Sequence, residues 1–140
     1  EAPSMAADDE ALVHLAQSRA DSSGHLLLTF VTAAYDELCE NFLAHVHRLP
    51  LTNYLLVTFD AVQQARLRSR GEQPHFRSLP ALTSGGSDEF ASRDFFLINS
   101  ARYAVLVKLL RSGVHVFALD VDAALLRDPF PLVERMPFEL

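Results

Sequence analysis

Val114-His115-Val116-Phe117-Ala118-Leu119-Asp120-Val121-Asp122 is the stretch on which the reading of this chain turns. Six mainly apolar residues, the length of a strand, end in two carboxylates one residue apart. A continuous apolar run of that length suits a strand buried on both faces of a parallel sheet. Side chains two apart leave a strand on the same side. Asp120 and Asp122 are therefore expected close together and poorly solvated. Like charges so placed repel, and a divalent cation relieves the repulsion. Hard oxygen ligands suit Mn²⁺ or Mg²⁺, and such a metal commonly bridges carboxylates to substrate phosphates. The bland alternative is a solvated acidic turn. A D-x-D triplet alone is common, and the apolar strand before it is what argues for a site.

Working upstream, Gly113 fits the left-handed cap that closes a helix. That helix runs through Ile98, Ala101, Val105, Leu106, Leu109 and Leu110, with Asp94 as its expected N-cap. Two more buried-strand patterns lie at residues 25–31 (HLLLTFV) and 53–59 (NYLLVTF). Helical spacing marks residues 8–20, 35–47 and 61–70. Residues 73–92 carry Pro74, Pro80, Gly85 and Gly86, which predicts a loop with a short strand near 76–79. Pro129, Pro131 and Pro137 forbid a long helix near the end. Strands alternating with helices argue for an α/β fold with a mainly parallel sheet. The organisation reads as an N-terminal helix and linker, 1–24, and one α/β part, 25–140.

Composition narrows the function. At 140 residues one domain is expected, large enough to bury a real core. The net charge of −6 argues against a nucleic-acid partner. The densest basic run, Arg66, Arg68 and Arg70, reads as a solvated helix face or end. The single thiol, Cys39, sits in an apolar helical pattern and reads as a small buried hydrophobe. No run reaches the ~18 apolar residues that span a bilayer, and the acidic start has no signal-peptide character. His45 and His47 point to different helix faces, and His115 reads as a packed or hydrogen-bonded residue in a buried strand. No Walker A loop, GxGxxG, GxSxG or HExxH motif is present.

In open α/β sheets ligands sit outside the carboxyl ends of the strands. Thr32 to Tyr35, Asp60 and the Asp120–Asp122 pair all fall there. Two families carry a D-x-D after an apolar strand. In the haloacid-dehalogenase type of phosphohydrolase the first Asp, here Asp120, is the nucleophile. That motif normally continues with Thr or Val where Ala124 stands, and it opens its fold, whereas here two strand–helix units precede it. Only 18 residues follow Asp122, too few for the later motifs of that fold.

The wider string Gly113 to Pro131, with Arg127-Asp128-Pro129-Phe130-Pro131 after the acids, is more specific. It resembles the plant and algal nucleotide-diphospho-sugar transferases of glycosyltransferase family 77. Leu28 to Tyr35 and Asn53 to Asp60 resemble that family's first and second strands, so the likeness runs from Leu26 to Leu132. Thr32 or Ala33 stands where the family often has Asn, Arg102 where it commonly has Lys, and Ala124 where an aromatic often follows the acids.

The resemblance implies a three-layer, Rossmann-like half of a GT-A fold that binds a nucleotide sugar, most simply a UDP-sugar. It implies a Mn²⁺ or Mg²⁺ cofactor held by Asp122 and Asp120, with Asp120 also facing the ribose. It sets base and ribose near Thr32, Tyr35 and Asp60, and makes Arg102 a further cation for the diphosphate. Asp128-Pro129 is expected to fix the turn beyond the site. The acceptor would be a cell-wall polysaccharide or a glycoprotein, with retention at the sugar carbon. The acceptor half is expected to lie beyond Leu140, and the compartment to be the Golgi lumen, behind an N-terminal membrane anchor. A phosphohydrolase using Asp120, or a non-catalytic α/β module, remains the competing reading.

Overall fold

The computed structural model describes residues 5–79 and 93–136. Among them four strands, β1 (His25–Phe30), β2 (Tyr54–Thr58), β3 (His75–Phe76) and β4 (His115–Ala118), form one sheet in the order β3-β2-β1-β4. Every pairing is parallel: Leu28 lies opposite Leu55 on one side and Ala118 on the other. The helices are α1 (Met5–Arg19), α2 (Asp36–Arg48), α3 (Ala61–Ser69), α4 (Arg93–Arg111) and α5 (Phe130–Val133). A single 3-10 turn, Ala33–Tyr35, leads into α2.

Alternation along β1 builds both cores, because successive side chains leave a strand on opposite faces. Leu26 and Leu28 pack with Leu12 and Ala16 of α1 and with Val105 and Leu109 of α4. Leu27 and Val31 pack with Phe42 and Val46 of α2 and with Leu67 of α3. Each fully buried leucine contributes roughly 1.5–3 kcal/mol, so the two clusters together hold the sheet between two helical layers. This is the three-layer α/β arrangement with a parallel sheet expected from the alternating elements.

The third apolar run departs from expectation. β2 is buried throughout, but β4 is half-buried at Val116 and Phe117 and exposed at His115 and Ala118. Among the described residues β4 is an edge strand, paired on one side only with β1. An apolar run is equally compatible with a central or an edge strand, because local sequence does not encode how many neighbours the strand acquires. His115 is accordingly exposed and not within a buried strand as expected, although its ring packs edge-on to His25 at 5.6 Å.

Helix ends follow local chemistry. Gly113 adopts φ +83°, Val114 donates its amide to the Leu109 carbonyl, and Gly113 donates to Leu110. These paired bonds satisfy carbonyls that the end of α4 leaves open. Asp94 lies within the first turn of α4 and is buried, where a cap had been expected. The irregular stretch 73–92 is described only as far as Leu79, and its short strand falls slightly earlier than anticipated, at His75–Phe76. Near the end, among the described residues, only the four-residue α5 forms, in keeping with Pro129 and Pro131. Cys39 is buried in the α2-side core, and burial pushes its thiol up to about 11.

Candidate functional site

The sheet order locates the site. The chain steps outward from β1 to β2 to β3, then returns across the sheet to β4. The direction of winding reverses between β1 and β4, so the connections leaving their carboxyl ends diverge and open a crevice. A cleft of about 280 Å³ lies there.

One wall comes from β1 and its exit: Phe30, Val31, Thr32 and, after the 3-10 turn, Tyr35 and Leu38. The opposite wall is the segment after β4: Asp120, Val121 and Asp122. β4's pairing continues past its last residue, with Leu119 donating its amide to Leu28 at 2.9 Å, and Ala123 then donates to the Asp120 carbonyl at 3.0 Å. That turn brings both carboxylates to the cleft. The third side is one face of α4, at Phe95, Ile98, Asn99 and Arg102, an i, i+3, i+4, i+7 stripe. Tyr35 keeps 43% of its surface exposed, so its ring is available to a ligand.

Arg102 connects the walls. Its Nη2 donates to Asp120 Oδ1 at 2.7 Å, while its guanidinium carbon lies 5.0 Å from the centre of the Phe30 ring. Phe30 in turn stacks on Phe59, with centroids 6.1 Å apart and planes 10° from parallel. The guanidinium thus has a carboxylate on one side and an aromatic face on another, a geometry that its planar fork suits better than an ammonium does. The acids differ from expectation: they stand in the turn after β4 and not on the strand, and both are exposed, with the Asp120 side chain 73% accessible. Among the described residues no strand covers the outer side of β4.

Asp60 stands apart from the other candidates. It does not line the cleft. Its Oδ1 caps α3 by accepting from the amides of Val62 at 2.8 Å and Gln63 at 3.4 Å. Its Oδ2 accepts from the Ala33 amide at 3.0 Å, reaching the turn that carries Thr32 and Tyr35. The rest of α3 and Arg70 after it grip the same turn and the start of α2. Gln63 donates to Asp36 at 2.9 Å, Arg66 donates to the Ala33 carbonyl at 3.4 Å, and Arg70 makes a two-pronged pair with Asp36. Those hydrogen bonds from Arg70 hold the Asp36 carboxyl down at about 2. Arg66 and Arg70 are therefore engaged at an exposed helix end, not merely solvated.

Phe30, Leu38, Phe59, Phe95, Ile98 and Asn99 were not anticipated from the sequence. The periodic signal of α4 was legible, but which of its faces meets a cleft depends on how it packs. His45 bonds to the Leu125 carbonyl and His47 to Glu72, so the two serve different surroundings. Asp128 accepts from the Phe130 amide at 2.9 Å and closes the turn into α5, the structural role expected of it. Among the described residues no group of three or more His, Cys, Asp or Glu side chains could hold a metal ion, and no helix is long and apolar enough to cross a membrane.

No curated protein and no solved structure matches the chain significantly. A family model does: nucleotide-diphospho-sugar transferase, over residues 50–139, well over half of the chain. The matched segment contains α4, β4, both acids and Arg102, and the membership favours sugar transfer over phosphate-ester hydrolysis by Asp120. A parallel sheet with a cleft at its winding reversal, two carboxylates on one lip and an arginine facing them accord with that match, and the chain belongs to the nucleotide-diphospho-sugar transferase family.

Proposed function

We propose that the cleft between β1 and the segment after β4 binds the nucleoside diphosphate portion of a UDP-sugar and that the chain serves metal-dependent sugar transfer from it. The observation that carries this reading is the convergence of Asp120, Asp122 and Arg102 on one cleft whose other wall offers Tyr35 and Phe30. At about 280 Å³ the cleft lies just below the usual range of ~300–1,000 Å³ for ligand pockets. That size suits the nucleotide end of the donor better than the whole of it.

The donor set fits Mn²⁺ or Mg²⁺. Asp120 and Asp122 offer hard oxygens, and these ions are commonly held by one or two carboxylates, with substrate phosphates and water completing the shell. Asp122 would ligate directly, and Asp120 would ligate or hold the ribose. When bound, the cation neutralises charge that develops on the departing diphosphate. The remaining work falls to the chain's own groups. Tyr35 and Thr32 hold the base and ribose side. Arg102 offers its outer N–H groups to phosphate oxygens as the bond between the sugar carbon and the β-phosphate oxygen breaks. Asp60 acts from behind, by fixing the Thr32–Tyr35 turn. Residues 1–24 as helix and linker, residues 25–140 as the donor-binding part, a cell-wall or glycoprotein acceptor and residence in the Golgi lumen accompany this reading.

Calorimetric titration with UDP in the presence and absence of Mn²⁺ tests it. Binding is expected only with the metal, and Asp122→Asn should abolish it without lowering the melting temperature. Equal UDP binding in chelator, or a wild-type affinity for Asp122→Asn, overturns the proposal. Trapping of beryllofluoride on Asp120 would favour the phosphohydrolase instead.

A further inference from the structure

Arg102 spans the lip that carries the acids and the aromatic floor. Its Nη2 is 2.7 Å from Asp120 Oδ1, its guanidinium lies over Phe30, and its side chain is one-third exposed toward the cleft. The same carboxylate belongs to the pair that would receive a cation. A fixed positive charge bonded to one of two candidate ligands opposes a second positive charge there. It competes for the oxygen, and it repels the ion. A diphosphate reverses the situation, because its negative oxygens can be shared between guanidinium and cation.

We propose that Arg102 makes cation binding and nucleotide binding conditional on one another: its ion pair with Asp120 weakens binding of a divalent cation alone, and the same guanidinium strengthens binding of the diphosphate. This rests on the cleft being the nucleotide-sugar site. The geometry argues against an incidental surface pair. An exposed arginine on α4 has other directions open to it, yet this one lies against an aromatic ring that is itself stacked on Phe59. Because coupling between two ligands is reciprocal, the cation must raise nucleotide affinity by the factor by which the nucleotide raises cation affinity. Removing Arg102 should shrink that shared factor from both sides.

The experiment compares the wild-type chain with Arg102→Met, which retains an apolar stem over Phe30, and Arg102→Lys, which restores charge. Mn²⁺ alone is titrated by electron paramagnetic resonance, and UDP is titrated by calorimetry at saturating Mn²⁺. For Arg102→Met, Mn²⁺ alone should bind about fivefold more tightly, the upper end of what an exposed ion pair is worth. UDP should bind at least about tenfold more weakly, as expected for loss of a charged hydrogen bond. Arg102→Lys should return the Mn²⁺ affinity toward wild type while recovering UDP binding only in part. These opposite signs cannot come from a partly unfolded variant, which would lose both ligands. Unchanged or weaker Mn²⁺ binding by Arg102→Met, with the wild type binding Mn²⁺ and UDP normally, overturns the inference alone. A wild-type chain that binds no UDP even with Mn²⁺ overturns the reading of the site, and this inference with it.

Discussion

Replacing Asp60 by Ala removes one carboxylate that holds two elements. Oδ1 satisfies the first amides of α3 and Oδ2 satisfies the Ala33 amide. Loss of an Asp N-cap costs about 1 kcal/mol, within a range of ~0.5–2. The bond to Ala33 is charge-assisted and half-buried, and such bonds are worth about 1.5–3 kcal/mol. Water can reach the freed amide, so the lower end applies. The sum is about 2–3 kcal/mol, which for a chain of this size lowers the melting temperature by roughly 6–12 °C. Asp60→Asn separates the two contributions. Its amide has a single acceptor oxygen, so it can cap α3 or accept from Ala33, but it turns an N–H donor toward the other site. About half of the loss should remain. Urea unfolding monitored by circular dichroism gives both numbers. If Asp60→Ala lies within about 0.5 kcal/mol of wild type, the carboxylate does not staple α3 to the Ala33 turn and is free to meet the ribose directly.

Three further outcomes are expected. Asp36 has a folded-state carboxyl near 2 against an ordinary 3.8, so its pairing with Arg70 stabilises the fold fully above about pH 4 and is lost as pH falls through about 2. Arg70→Met should lower stability at neutral pH by about 1–2 kcal/mol and flatten the acid limb of a stability–pH curve; an unchanged acid limb refutes this. Gly113→Ala meets no atom within 4 Å, so its cost is the left-handed backbone alone, about 1 kcal/mol in a urea melt, and a stabilised variant contradicts the cap. Tyr35→Ala should weaken UDP binding about three- to tenfold, the worth of one aromatic stacking partner, with the melting temperature unchanged. Full affinity in that variant removes Tyr35 from the site.

Much of the architecture was legible in the chain. The runs at 25–31 and 53–59 have the length and apolar continuity of buried parallel strands, and both became β1 and β2 with their centres excluded from water. Gly113 marked the end of α4 because its left-handed backbone is strained for residues bearing a Cβ. The candidates Thr32, Tyr35, Asp120 and Asp122 converge on one cleft, since position at a strand's carboxyl end is a local property and parallel strands put all such ends on one side; Arg102 reaches the same cleft from the middle of α4. Local sequence determined which segments are strands and which are helices, and where α4 stops.

Other features depended on which elements became neighbours. The run at 114–119 lies at the edge among the described strands, so the acids after it are solvated instead of buried. Asp60 uses both carboxylate oxygens on the first α3 amides and the Ala33 amide, which depends on α3 and the exit of β1 becoming neighbours. The ion pair of Arg102 with Asp120 joins residues 18 apart on different elements. Whether two charges meet depends on helix rotation and sheet order, which are decided by the packing of the two cores. Periodicity encodes which side of an element is apolar; only the assembled layers determine what each polar group then faces.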